Sequence, residues 1–172
     1  MAMQPFNEKK PAHLSLEVLK VLAKVSPERG LRGDMLAQAV VNLSRLFTTA
    51  RPSLSPRYLD DPAHAAAYLS YFLPVNLSKV QVLLDELPND IIQETPDRPM
   101  AVLDLGCGPG TGALGLLDWL WHRSPKRAKS LSVLAADASR APLQEAERLW
   151  GAYCQEVGIP DHGLRCVEGN LE

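Results

Sequence analysis

The run Val102-Leu103-Asp104-Leu105-Gly106-Cys107-Gly108-Pro109-Gly110-Thr111-Gly112 limits the fold more than any other stretch of this sequence. A short apolar segment, Met100 to Leu105, passes into alternate glycines and then at once into a helical pattern from Thr111 to Trp121. Alternate glycines permit left-handed backbone and let a ligand lie against bare main chain. A strand, a glycine turn and a helix in that order open a doubly wound parallel sheet. The spacing also separates ligands. A dinucleotide turn needs its third glycine three places after its second, where it permits close packing behind a pyrophosphate, and Thr111 stands at that position. A nicotinamide-dependent oxidoreductase is therefore disfavoured.

The pattern then repeats. A basic loop, His122 to Ser130, leads to a second strand, Leu131 to Ala136, which ends on Asp137. Joining a helix to the start of a strand, that loop falls opposite the ligand crevice and reads as solvated surface. Ser139 is placed to cap a helix carrying Leu143, Ala146, Trp150, Tyr153 and Val157, with Gly158 and Pro160 as stop signals. A third strand is expected over Leu164 to Val167. The predicted fold class is α/β, the β-α-β-α-β half of a Rossmann-like sheet.

An all-helical unit precedes it. Leu14, Val18, Val21, Leu22 and Val25 share one face of a helix ending near Ser26-Pro27, while Glu17, Lys20 and Lys24 take the other. A second helix, after the loop glycines Gly30 and Gly33, spans about Asp34 to Phe47 with Leu36, Val40, Leu43 and Phe47 inward. Asp61-Pro62 is a cap followed by a first-turn proline. The helix it starts places Tyr68, Tyr71 and Phe72 in the core and should break or kink at Pro74. Asn76 then caps a fourth helix with Leu77, Val80, Leu84 and Leu87 buried. The acidic, proline-bracketed stretch from Pro88 to Pro99 marks a boundary, dividing the chain into a helical domain, 1–95, and a partial Rossmann-like domain, 96–172.

Composition removes several classes. With 46% apolar residues the 172-residue chain can bury a core, and a net charge of -2 denies it the basicity of a protein that coats nucleic acid. Residues 1–60 nonetheless carry a balance of +4. No apolar run reaches membrane-spanning length and the N-terminus lacks a signal-peptide core, so a cytoplasmic protein is expected. Cys107, Cys154 and Cys166 are odd in number and lack a C-x-x-C pair, which fits reduced thiols; no metal site is expected. His13, His64, His122 and His162 are scattered without ligand spacing.

The string Asp104-Leu105-Gly106-Cys107-Gly108-Pro109-Gly110 resembles motif I, D-x-G-x-G-x-G, of class I S-adenosylmethionine-dependent methyltransferases. A carboxylate beside the turn suits an ammonium better than a phosphate. The resemblance implies a class I methyltransferase fold in which Asp104, Gly106, Gly108 and Gly110 hold the methionine end of the cofactor, with Cys107 lining the turn as a small residue. It implies further that Asp137 accepts from the ribose hydroxyls and Asn170 meets the adenine. Asp137 stands 27 residues after Gly110, and the basic loop accounts for the length.

A wider resemblance covers about residues 37 to 150. Arg57-Tyr58-Leu59, Ala67-Tyr68-Leu69-Ser70-Tyr71-Phe72-Leu73-Pro74, Leu83-Leu84-Asp85-Glu86-Leu87 and the turn itself resemble the methyltransferase-like family associated with the mitochondrial ribosomal small subunit and its bacterial relatives. That family implies RNA of the small ribosomal subunit, or a ribosome-associated substrate, as the methyl acceptor. Its alternative is a non-catalytic ribosome-assembly factor that keeps the fold as a binding module. The chain departs from the family after Pro74, where Val75-Asn76-Leu77 replaces Ala-Thr-Tyr, and no cysteines correspond to those that hold an iron–sulfur cluster in some members. Strands beyond the third, with the family's catalytic residues, are not in this sequence. The expectation is that the chain is the N-terminal part of a longer protein, or that another chain or a second copy covers the edge of the first strand.

Overall fold

A computed structural model describes residues 14–25, 33–87 and 100–169. The expected stop at Ser26-Pro27, the loop glycine Gly30 and the boundary at Pro88 to Pro99 lie outside the described residues. The protein is α/β, with a three-stranded parallel sheet in the order β1-β2-β3. The strands are β1 (Ala101–Leu105), β2 (Ser132–Asp137) and β3 (Leu164–Glu168). Four helices come first: α1 (Leu16–Val25), α2 (Asp34–Phe47), α3 (Pro62–Ala67) and α4 (Leu73–Asp85). Then α5 (Thr111–Arg123) and the short α6 (Pro125–Lys129) join β1 to β2, and α7 (Arg140–Val157) joins β2 to β3.

The helices form where periodicity and caps require. α1 buries Val18, Val21, Leu22 and Val25, the stripe its spacing defines, and α2 spans the expected residues. Its inward face centres on Ala39 and Leu43, with Val40 and Phe47 packed around them. Asp61 caps α3 by accepting from the amides of Ala63 and His64, satisfying donors a helix start leaves free. At the far end of the molecule Gly158, with φ of 70°, ends α7 in left-handed geometry.

Pro74 does not break its helix. A wide π turn over Tyr68–Phe72 joins α3 to α4, and the Leu73 amide donates to the Tyr68 carbonyl, five residues back. The widened turn relieves the clash that a proline ring makes with the carbonyl four residues before it. Asn76 is consequently an interior residue whose side chain accepts from Lys79, not a cap. Leu87 lies beyond the last turn and is exposed, and Tyr71 points outward at 51% exposure instead of joining the core. The basic loop is also more ordered than its charge suggests: Pro125–Lys129 is helical, and Arg127 and Ala128 are buried.

The main core runs without interruption from α1 and α4 into the α/β part. α1 packs on α7, α4 packs on α5, and α7 lies across β2 and β3. Leu73 and Leu77 of α4 are buried in the same cluster as Leu114, Leu117, Val133, Leu149 and Tyr153. A smaller cluster around Leu43 is closed by edge-to-face contacts of Phe47 with Tyr58 and Phe72, at 5.4 and 5.0 Å.

Among the described residues only one face of the sheet is covered. Val133 and Ala135 are sealed under the helices. On the opposite face Leu103 pairs beside Leu134, and Leu105, Ala136 and Val167 line up in register. Leu103 and Leu105 are 59% and 56% exposed. Among the described residues β1 has no partner on its outer edge. Parallel sheets are ordinarily covered on both faces, so this face and edge are open in a way the fold class does not favour.

Candidate functional site

The glycine turn occupies the carboxyl end of β1. Its first amides, from Gly106 and Cys107, both donate to the Ala136 carbonyl at 2.8 and 3.1 Å, which fixes the turn to the end of β2. Gly106, Gly108 and Gly110 take φ of 66°, 53° and 75°, and every other position is therefore one that L side chains avoid. At Gly110 space is limiting as well, since a Cβ there would come 2.9 Å from the Ala146 Cβ of α7. α5 begins directly after it, with the Leu114 amide donating to the Gly110 carbonyl.

Two carboxylates flank the turn. Asp104 accepts from the Ala113 amide in the first turn of α5 at 3.2 Å, and Gly112 leaves room for it, because a Cβ there would lie 3.0 Å from Asp104 Oδ2. Burial raises the Asp104 carboxyl above its ordinary range; the Ala113 amide opposes the shift and nearby Asp137 adds to it. Asp137, at the end of β2, accepts from the Gly108 amide at 2.8 Å through Oδ2 and from the Ser139 amide at 3.1 Å through Oδ1. The expected ribose-binding side chain thus also clamps the turn, and each of its oxygens already has one backbone donor. Cys107 is buried between them, its thiol pushed up to about 12 first by burial and then by Asp104 and Asp137. A thiol so held stays protonated and is not a nucleophile. Asn170 lies outside the described residues.

The helical part reaches over these strand ends. Tyr68 and Thr111 share a hydroxyl hydrogen bond at 3.3 Å. Ser139 donates its hydroxyl to Asp60 instead of capping α7. Leu59 lies beside Gly108, and Arg57 approaches Glu168 at 3.8 Å. Tyr58 is held neutral well above its usual range by burial, then by Tyr68 and Asp137. Sequence reasoning passed over Asp60 and Glu168, and gave Arg57 no role beyond its place in the run shared with the resembled family. No local pattern marks them, because their partners are far away in the chain. Tyr58 and Tyr68 had one signal, their place in the run shared with the resembled family.

A cavity of about 110 Å³ lies beside Pro109, lined by Leu59, Leu69, Pro142 and Glu145 among others. It is smaller than the roughly 300 Å³ that a small-molecule site needs. Compared with protein-family models, curated proteins and solved structures, the chain matches none.

Proposed function

We propose that this chain is the cofactor-binding part of an S-adenosylmethionine-dependent methyltransferase. The observation that carries the reading is the sign of the charge at the turn: the side chains that accept from the Gly108 amide in the turn and from the Ala113 amide just after it are both carboxylates, Asp137 and Asp104. A diphosphate would be repelled by that pair, whereas a sulfonium and an ammonium are attracted to it. The bare backbone of Gly106, Gly108 and Gly110 fits a ligand lying close along the turn. Asp104 and the glycines would take the methionine end, and the spare lone pairs of Asp137 the ribose hydroxyls. When bound, the cofactor supplies an activated methyl group; the protein's share is to orient it and exclude water, and positioning is the main source of rate in such displacements. The resemblance through Tyr58 to Pro74 supports RNA of the small ribosomal subunit as the acceptor. The reading also calls for a partner along β1, either further chain or a second copy, and the open edge with exposed Leu103 and Leu105 supports that.

The test is a calorimetric titration of the folded protein with S-adenosylmethionine and with NAD, repeated on Asp137→Ala. Saturable binding of S-adenosylmethionine alone is expected. Loss of a charge-assisted acceptor should cost about 1.5 to 3 kcal/mol, or roughly ten- to a hundredfold in affinity. Preference for NAD would end the methyltransferase reading. A second reading is a non-catalytic assembly factor that keeps the fold as a binding module. Cofactor binding without methyl transfer to small ribosomal subunits would favour it.

A further inference from the structure

Asp118 lies in the second half of α5, about 10 Å along the helix axis from the glycine turn, and only 1% of it is exposed. A carboxylate so deeply buried needs its charge compensated. Its neighbours are neutral donors: Ser15 Oγ at 2.6 Å and Tyr153 OH at 2.7 Å on Oδ1, and the Gln81 amide on Oδ2. Among the described residues the one titratable base paired with it is His122, a turn later on the same helix, whose Nε2 stands 3.5 Å from Asp118 Oδ1. Glu17, in the first turn of α1, brings a second carboxylate to the same nitrogen, also at 3.5 Å. One imidazole thus faces two carboxylates, and it cannot neutralise both even when protonated.

The distances have a second meaning. At 3.5 Å both contacts are longer than a good hydrogen bond. Four ligands held tetrahedrally at about 2.1 Å stand about 3.4 Å apart, which is the separation found here. One ligand atom from each of Glu17, Asp118 and His122 lies within 4.8 Å of the other two. Gln81 holds the Asp118 carboxylate through Oδ2, as outer hydrogen bonds orient metal ligands, and an ion on Oδ1 takes the place of one of the two donors there, Ser15 or Tyr153. The side chains of His122 and Glu17 are 47% and 30% exposed, so an ion could enter from solvent and keep a water in its fourth position.

We propose that Glu17, Asp118 and His122 bind a divalent transition-metal ion of the zinc class, tying α1 to α5. Sequence reasoning expected no metal site: Asp118 and His122 do stand four residues apart on one helix, but Glu17 comes from α1, far earlier in the chain. The site is separate from the glycine turn and does not depend on the methyltransferase reading.

The experiment is a calorimetric titration of chelator-treated, folded protein with zinc chloride, on the wild type and on His122→Ala and Glu17→Gln, two changes at partly exposed positions that leave the buried Asp118 in place. Circular dichroism establishes that each variant is folded. The expected result is saturable binding of one ion per chain, a higher thermal midpoint with zinc, and affinity at least tenfold weaker in each variant. Cobalt bound at the same site should show no thiolate charge-transfer absorption, which separates it from the cysteines. Absence of saturable binding by the wild type, a loss below tenfold in either variant, or a thiolate band would overturn the proposal.

Discussion

Gly106 and Gly110 share left-handed backbone but differ in what surrounds them. Nothing lies within 4 Å of a Cβ built at Gly106, whereas one at Gly110 meets Ala146 at 2.9 Å. Gly106→Ala should therefore cost about 1 to 2 kcal/mol from backbone strain alone. Gly110→Ala should cost roughly 2 to 4 kcal/mol, because overpacking against α7 is added. Urea denaturation of the two variants measures the difference, and equal losses would remove the close approach of the turn to α7. Tyr153→Phe takes a donor from buried Asp118 and should cost about 1.5 to 3 kcal/mol by the same measurement. At this scale the glycines, Asp104 and Asp137 were legible in the sequence because their spacing is itself the signal. The Asp60–Ser139 and Tyr68–Thr111 bonds were not, since they join residues 79 and 43 positions apart and depend on how the helices dock.

Among the elements, the π turn decides the register of everything in α4. It lets Leu73 and Leu77 enter the core although Pro74 stands between them. Deleting Ser70, which is exposed, would turn α4 by about 100° relative to α3 and carry both leucines away from α5. Loss of the cooperative unfolding transition is expected for the deletion, and near-wild-type stability for Ser70→Ala; circular dichroism with urea distinguishes them. The sequence pointed to a break or kink at Pro74 because proline rules describe α geometry, and a widened turn avoids the clash they rest on. A second element-level device ties α1 to α7, where Glu156 receives Lys20 at 2.9 Å and Lys24 at 2.7 Å. The hydrogen bond from Lys24, then that from Lys20, hold its carboxyl down to about 2, against an ordinary 4.5. A depressed carboxyl stabilises the fold fully above its unfolded value and loses that contribution as pH falls from about 4.5 through about 2. The acid limb of the wild-type urea midpoint should therefore be steeper over that window than that of Glu156→Gln.

For the molecule as a whole, the helical part and the sheet share one core, and the described residues leave one sheet face bare. Leu103 and Leu134 sit side by side on that face. Replacing both with threonine should change stability by no more than about 0.5 kcal/mol per site while reducing self-association and binding of a hydrophobic dye. Sedimentation velocity and dye fluorescence read the second effect; a large loss of stability would instead mean that the leucines are covered. The succession β-α-β-α-β could be read from periodicity and turn residues. The packing of α1 on α7 could not, because an amphipathic stripe does not name its partner. That pairing also sets a schedule for the growing chain. Lys20 meets a residue 136 positions later, so at about 5 to 20 residues per second the apolar stripe of α1 waits about 7 to 27 s for its partner to be synthesised. Through that interval the first helix depends on its own charged face, or on a chaperone, to stay out of aggregates.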